Sequence, residues 1–210
     1  MTEQKQYTMT MIGLLLIFLA LGILVALFGS TADAQVPRSR ALLLAQVTIH
    51  EAGWEDTGDM EAIDAVFRAG AERSAIRYES FANSYSGRIW SGATDKPWVR
   101  HINERCNEPA EWPTIIIRRR VDREGNETFT RVRHASWSVF RERCVAVMAR
   151  AREVVAGERV APCAPHDWGG RVDRERAARI GLVPVSCDLG DVETRNDFYL
   201  RPSLITPTEP

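Results

Sequence analysis

Apolar residues crowd positions 41–51, where Ala41, Leu42, Leu43, Leu44, Ala45, Val47 and Ile49 leave few polar gaps. So dense a run predicts a helix, entered after Pro37 and continuing to about Trp54, that is buried on more than one side. At Ala52-Gly53-Trp54-Glu55-Asp56 turn-type and acidic residues replace the apolar period. A second helix is predicted from Asp59, a good N-cap, to about Ala75, with Ile63, Val66, Phe67 and Ala71 at three- and four-residue steps. From Tyr78 to Pro113 the pattern becomes irregular and aromatic, which predicts a short helix and then a long loop.

Thr114 to Val121 and Glu127 to Arg133 flank the turn Asp122-Arg123-Glu124-Gly125-Asn126 and predict a β-hairpin, with Ile115, Ile117 and Val121 as its apolar face. The clearest helix spans about Ser136 to Ala156. Trp137, Phe140, Cys144, Val147, Met148, Ala151, Val154 and Val155 keep the helical period, and Gly157 supplies the stop. Beyond it come a loop from Pro162 to Gly170, a brief helix near Arg174 to Arg179 and a compact segment ending Asp197 to Leu200. The tail from Arg201 to Pro210 reads as unpacked.

These elements sum to a mainly α, α+β class: one helical domain over residues 35–200 with a small hairpin, preceded by a hydrophobic helix within residues 1–34 and followed by a flexible tail, 201–210. The leading helix rests on Met11 to Gly29, which carry no charge. At about 1.5 Å per residue the segment reaches roughly 28 Å, enough to span a bilayer. Ala32-Asp33-Ala34 has the small-x-small form of a signal-peptidase site, so anchor and cleaved leader compete. The length favours the anchor, and either route exports residues 35–210 to the periplasm or cell envelope.

Without its first 34 residues the chain holds 26 basic and 26 acidic residues. That balance argues against a nucleic-acid partner, which calls for a net basic face. Arginine supplies 25 of the 27 basic residues of the whole chain, a bias that coding composition explains. Cys106, Cys144, Cys163 and Cys187 are an even set in an exported chain, which favours disulfides. Of three possible pairings, Cys106 with Cys144 and Cys163 with Cys187 is preferred, because each closes a moderate loop.

His50-Glu51 begins like the H-E-x-x-H zinc signature, but position 54 is Trp. A metal site would have to be assembled from distant His101, His134 or His166, so neither metal nor cofactor is expected. Cys163 with His166 sketches a thiol hydrolase, which disulfide formation would disable. What remains is the carboxyl cluster Glu51, Glu55, Asp56 and Asp59. Glycoside cleavage needs a protonated carboxyl beside the glycosidic oxygen. An exposed acidic turn accounts for Glu55, Asp56 and Asp59. Glu51 differs because it ends an apolar helix, where partial burial would raise its pKa. Tryptophans at 54, 90, 98, 112, 137 and 168 offer flat faces for sugar rings, although each singly is explained by packing.

In order, these segments resemble the cell-wall hydrolases of the spore-cortex-lytic type, relatives of the lysozyme-like lytic transglycosylases. Glu51-Ala52-Gly53-Trp54-Glu55 resembles that family's Glu-Ala-x-Gly-Glu motif with the glycine moved by one. Ala71-Glu72-Arg73 stands where the family has an Asn-Arg pair, and Ala135-Ser136-Trp137 partly matches a Phe-Ser-Trp motif. Ala164-Pro165-His166-Asp167-Trp168 occupies the place of a Gly-Ala-Thr-His-like stretch. Asn196-Asp197-Phe198-Tyr199 echoes a closing His-x-Phe-Tyr without its histidine.

The resemblance implies a lysozyme-like fold and cleavage of the bond between N-acetylmuramic acid and N-acetylglucosamine in peptidoglycan. Glu51 matches the catalytic acid, and His166, Trp168, Tyr199 and Trp137 are carried over as groove-lining residues. Partners are then glycan strands and, through residues 11–29, the membrane. The rival expectation is a non-enzymatic envelope or virion component that uses the same fold for binding.

Overall fold

The computed structural model describes residues 38–121, 125–170, 173–190 and 192–204. The hydrophobic segment Met11–Gly29 and the signal-peptidase-like Ala32–Ala34 lie outside the described residues, as do the hairpin turn residues 122–124 and the end of the tail, 205–210. The chain divides into two units, with the second beginning at Ser39. Among the described residues no helix is long and apolar enough to cross a membrane.

Among the described residues six α-helices and two small sheets make up this unit, an α+β mix. Helix α1 (Arg40–Glu51) starts where the Ser39 hydroxyl accepts the Leu42 N–H at 3.2 Å. Every residue from Ala41 to Ile49 is buried, as the dense apolar run demands. Gln46, fully buried among them, donates Nε2 to the carbonyls of Val99, Arg100 and Ile102 and so fastens the 3₁₀ turn Pro97–His101 onto α1.

Helix α2 (Asp59–Arg73) places Ile63, Val66 and Phe67 in the core at 0% exposure. Its N-cap is Gly58, at φ +74°, and Asp59 is the first helical residue rather than the cap. Helix α3 (Tyr78–Tyr85) lies against α2 where a glycine permits close approach: a Cβ on Gly70 would stand 2.1 Å from the Phe81 ring. Helix α4 (Gly87–Trp90) and the 3₁₀ turn fill the stretch expected to be loop. Helix α5 (Trp137–Ala156) buries Trp137, Cys144, Val147, Met148, Ala151 and Val154 against α1 and α2, and Gly157 ends it at φ +82°.

Strands β1 (Ile115–Val121) and β2 (Glu127–Arg133) form the expected antiparallel hairpin, but its faces are reversed. Ile116 is buried, with Val132 opposite it packed partly against the core, while Ile115 and Ile117 stand 51% and 57% exposed. Three consecutive isoleucines let the alternation be read in either phase, and one residue of phase exchanges the faces.

The second sheet was not expected. Strands β3 (Asp167–Gly169), β4 (Val183–Val185) and β5 (Asp197–Leu200) run antiparallel in the order β3-β5-β4, and helix α6 (Arg174–Arg179) lies between β3 and β4 in sequence. The tail is held at its start, because Arg201 N–H donates to His166 Nδ1 at 3.0 Å and its guanidinium pairs with Asp167 at 2.5 Å. Both preferred disulfides are present. Cys106–Cys144 ties the loop before the hairpin to α5, and Cys163–Cys187 ties the start of the second sheet to the loop after β4.

Candidate active site

Glu51 is the last residue of α1, not an interior one. Ala52 N–H donates to Thr48 O at 2.7 Å, and Gly53 turns the chain away at φ +93°. Trp54 then folds back and stacks on Trp98 and Phe140, with centroids 5.7 and 5.6 Å away. The helix end is thereby fixed while the Glu51 side chain is left 34% exposed, so the expected burial is slight.

What surrounds Glu51 comes from the loop after α4. Lys96 Nζ donates to the His50 carbonyl at 2.6 Å, and Thr94 Oγ1 lies 2.5 Å from His50 Nε2. The other ring nitrogen, Nδ1, lies 3.0 Å from Glu51 Oε1. The imidazole is thus fixed between a hydroxyl and the carboxyl. His50 and Glu51 line an open cavity of about 650 Å³ together with Tyr85, Asp95, Ile117 and Phe129. Asp95 is a second carboxyl on its wall. The two hairpin residues stand out from the sheet, Phe129 at 65% exposure.

The four residues carried over as groove-lining do not line this cavity. Trp137 is only 3% exposed, donates Nε1 to the Cys106 carbonyl at 3.3 Å and meets Trp112 edge-on at 4.8 Å. It is corrected to a core residue. Trp54, Trp98 and Trp112 join it, with His134 and Phe140, in one internal aromatic cluster. The faces expected to carry sugars are therefore used for packing. Tyr199 is 4% exposed on β5 and, with Trp168, lines a separate cavity beside α6 rather than the Glu51 cavity.

His166 is half-buried at the start of β3. Desolvation, helped by Arg73 and Arg201, holds its pKa below the usual histidine value. Trp168 stacks on Tyr85 at 4.4 Å, and Tyr85 does line the cavity, so the second sheet meets the Glu51 site through this pair. The Tyr85 hydroxyl donates to Asp167 Oδ1. Burial first, and then that bond, pushes the Tyr85 pKa far above its ordinary value.

Of the remaining acids, Glu55 and Asp56 are exposed as expected, but Asp59 is 0% exposed. Its carboxyl accepts Thr57 Oγ1–H at 2.6 Å, Arg195 N–H at 2.8 Å, Asn196 N–H at 3.0 Å and Asn196 Nδ2–H at 2.8 Å. Arg195 also reaches Ala52 O at 2.8 Å and Glu55 Oε2 at 3.2 Å. The segment leading into β5 thus clasps the turn that follows Glu51. Asn196, standing where the resembled family has a histidine, is part of that clasp.

Cys163 is disulfide-bonded and is no nucleophile. His134 belongs to the aromatic cluster and His166 to β3, and among the described residues no group of three or more His, Cys, Asp or Glu is arranged to hold a metal ion. Asp95, Tyr85 and Phe129 were missed from sequence. The only signal for Phe129 was an aromatic residue among the arginines and threonines of a hairpin strand. Comparison with family models, with curated proteins and with solved structures finds no match.

Proposed function

We propose that the protein cleaves peptidoglycan between N-acetylmuramic acid and N-acetylglucosamine as a lytic transglycosylase, on a lysozyme-like helical domain of the spore-cortex-lytic kind. The observation that carries this reading is the position of Glu51, at the fixed end of a buried helix and on the wall of an open cavity with His50 in contact. Two disulfides fit an oxidising compartment such as the periplasm or envelope, where this substrate lies.

In the proposed reaction Glu51 gives its proton to the glycosidic oxygen as the bond from muramyl C1 to that oxygen breaks. The muramyl 6-hydroxyl then attacks C1 and returns its proton to Glu51. An anhydro ring forms, no water is consumed and the carboxyl is restored. His50, held by Thr94, keeps the carboxyl in place. Asp95 gives the cavity a second acid, so a hydrolytic variant in which it activates water would leave a reducing end instead.

The test is incubation of the full-length protein with purified peptidoglycan and mass analysis of the released fragments. Anhydro ends are expected, and reducing ends would assign hydrolysis. Glu51→Gln is expected to abolish release, by 10³-fold or more at the order-of-magnitude level for loss of an acid/base group. A variant that digests the wall as well as the parent removes Glu51 from the chemistry. The rival, a binding protein without catalysis, draws on the internal packing of four tryptophans and on the His50–Glu51 pairing. Binding without any product would select it.

A further inference from the structure

The hairpin carries a face that none of the other described residues covers. Ile115, Ile117 and Phe129 are 51%, 57% and 65% exposed, and the register pairs Ile115 with Arg133 and Ile117 with Arg131. Residues paired across an antiparallel ladder share a face. Apolar side chains and two exposed arginines are therefore presented together, while Ile116 and Val132 fasten the opposite face to the core. Among the described residues neither Arg131 nor Arg133 has an ion-pair partner. From Thr114 to Arg133 the sequence holds six arginines against three acids, in a chain whose formal net charge is −1. A two-stranded sheet with an uncovered apolar and cationic face is built to meet something.

The same face reaches the candidate active site. Ile117 and Phe129 line the Glu51 cavity, and a second cavity of about 510 Å³ lies at the hairpin's far end against Thr114, Ile115, Arg131, Val132 and Arg133. At roughly 3.3 Å per residue, Arg131 and Arg133 follow Phe129 along β2 at steps of about 7 Å. A polymer leaving the Glu51 cavity over Phe129 would meet the guanidinium groups next.

We propose that this face is a binding strip for the free carboxylates of the peptidoglycan peptide stem, with Arg131 and Arg133 as the recognising cations and Phe129 as the apolar platform between them and Glu51. It rests on the reading of the Glu51 cavity as a glycan site. Arginine forks pair bidentately with carboxylates, and a neutral glycan offers them no such partner. An anionic lipid surface would satisfy the charges. It would not account for two of the apolar residues lining the wall of a cavity with a carboxyl and an imidazole.

The experiment uses full-length protein carrying Glu51→Gln, so that the polymer is not consumed. Binding is read by cosedimentation with intact sacculi and with sacculi whose carboxylates have been converted to amides by carbodiimide and ammonia. Arg131→Gln/Arg133→Gln is expected to weaken binding to intact sacculi about tenfold and to leave binding to amidated sacculi unchanged. Added salt should erase the difference on intact sacculi. Phe129→Ala is expected to weaken binding to both polymers alike.

If parent and variant bind both sacculi equally, the strip is overturned while the proposed cleavage stands. If the parent neither binds nor, with Glu51 intact, cuts sacculi, the proposed cleavage fails and the strip with it. Arginine-dependent binding to anionic phospholipid vesicles with none to sacculi makes the face a lipid-docking surface and overturns the proposal, and so does an arginine-dependent dimer of the chain.

Discussion

Glu51 and Asp59 lie in the same acidic stretch, one at the end of α1 and the other at the start of α2, yet their surroundings are opposite. Asp59 is 0% exposed and receives four hydrogen bonds, three of them from Arg195 and Asn196 at the far end of the sequence. Glu51 is a third exposed, faces a cavity and, among the described residues, has His50 as its one side-chain polar partner. A carboxyl saturated with donors has no lone pair left for a substrate, whereas one with a single partner can still exchange a proton. The contrast separates an acid that holds the site together from an acid available for chemistry.

The contrast is tested most severely at Asp59. Asp59→Ala removes the acceptor while three backbone and amide donors stay buried, at a cost of about 3–5 kcal/mol, or roughly 10 °C in the thermal midpoint for a domain of this size. Thermal and urea unfolding would show it. A loss under 1 kcal/mol would mean that the segment before β5 docks without this clasp.

Glu61, two residues further along α2, ranks next. Its side chain is 0% exposed, and Oε1 accepts Arg159 Nε–H at 2.6 Å while Arg159 also grips Asp56 with both terminal nitrogens at 2.9 and 3.0 Å. Arg159→Ala would leave Glu61 buried without its cation. Because the arginine is 31% exposed and partly screened, the expected loss is about 2–3 kcal/mol rather than the full value of a buried pair. The double variant Arg159→Ala/Glu61→Gln should recover part of it, which a double-mutant cycle would measure.

The sequence made the helical core readable because α1, α2 and α5 bury long periodic stripes, and the cysteine pairs because the four residues lie at suitable loop separations. Strands β3 and β4 were not readable, since three residues are too few for an alternation to register. The burial of Asp59 was hidden for a different reason. Its partners Arg195 and Asn196 are more than 130 positions away, and an aspartate after a glycine looks like ordinary turn chemistry. Glu51 was legible as a place, the end of an apolar helix, but its cavity is made by Tyr85, Asp95 and Phe129, which follow no shared period. Trp137 misled because a tryptophan on a helical stripe satisfies both a packing and a sugar-binding reading, and only its neighbours decide.

Glu55 lies on the same turn but is 58% exposed, and its partner Arg195 is 51% exposed. Its own backbone N–H holds its pKa below the usual glutamate value against the opposing desolvation, and Arg195 adds a smaller pull in the same downward direction. A carboxyl whose folded pKa is depressed adds stability above its unfolded value, about 4.3, and loses it as pH falls through the folded pKa. Glu55→Gln should therefore cost a few tenths of a kcal/mol at pH 7. The difference from the parent should close below about pH 4 in paired melting curves. A difference that persists at pH 3 would mean the side chain acts by packing and not by charge.

The smallest effect on folding is expected at Glu51 itself. Glu51→Gln keeps the length and shape of the side chain, leaves an amide able to hydrogen-bond His50 Nδ1, and removes an ionisable group that no buried donor depends on. Its unfolding free energy should stay within about 0.2 kcal/mol of the parent, well inside the range of ordinary surface changes. His50 remains tied to Thr94 and, through its carbonyl, to Lys96, so the helix end has other supports. The comparison with Asp59 becomes sharp when the same samples are assayed on peptidoglycan. A stable but inactive Glu51→Gln beside a destabilised Asp59→Ala divides the two roles as the geometry does. A Glu51→Gln chain that melts more than 1 kcal/mol below the parent would put Glu51 among the structural acids, and any loss of activity would then follow from the fold.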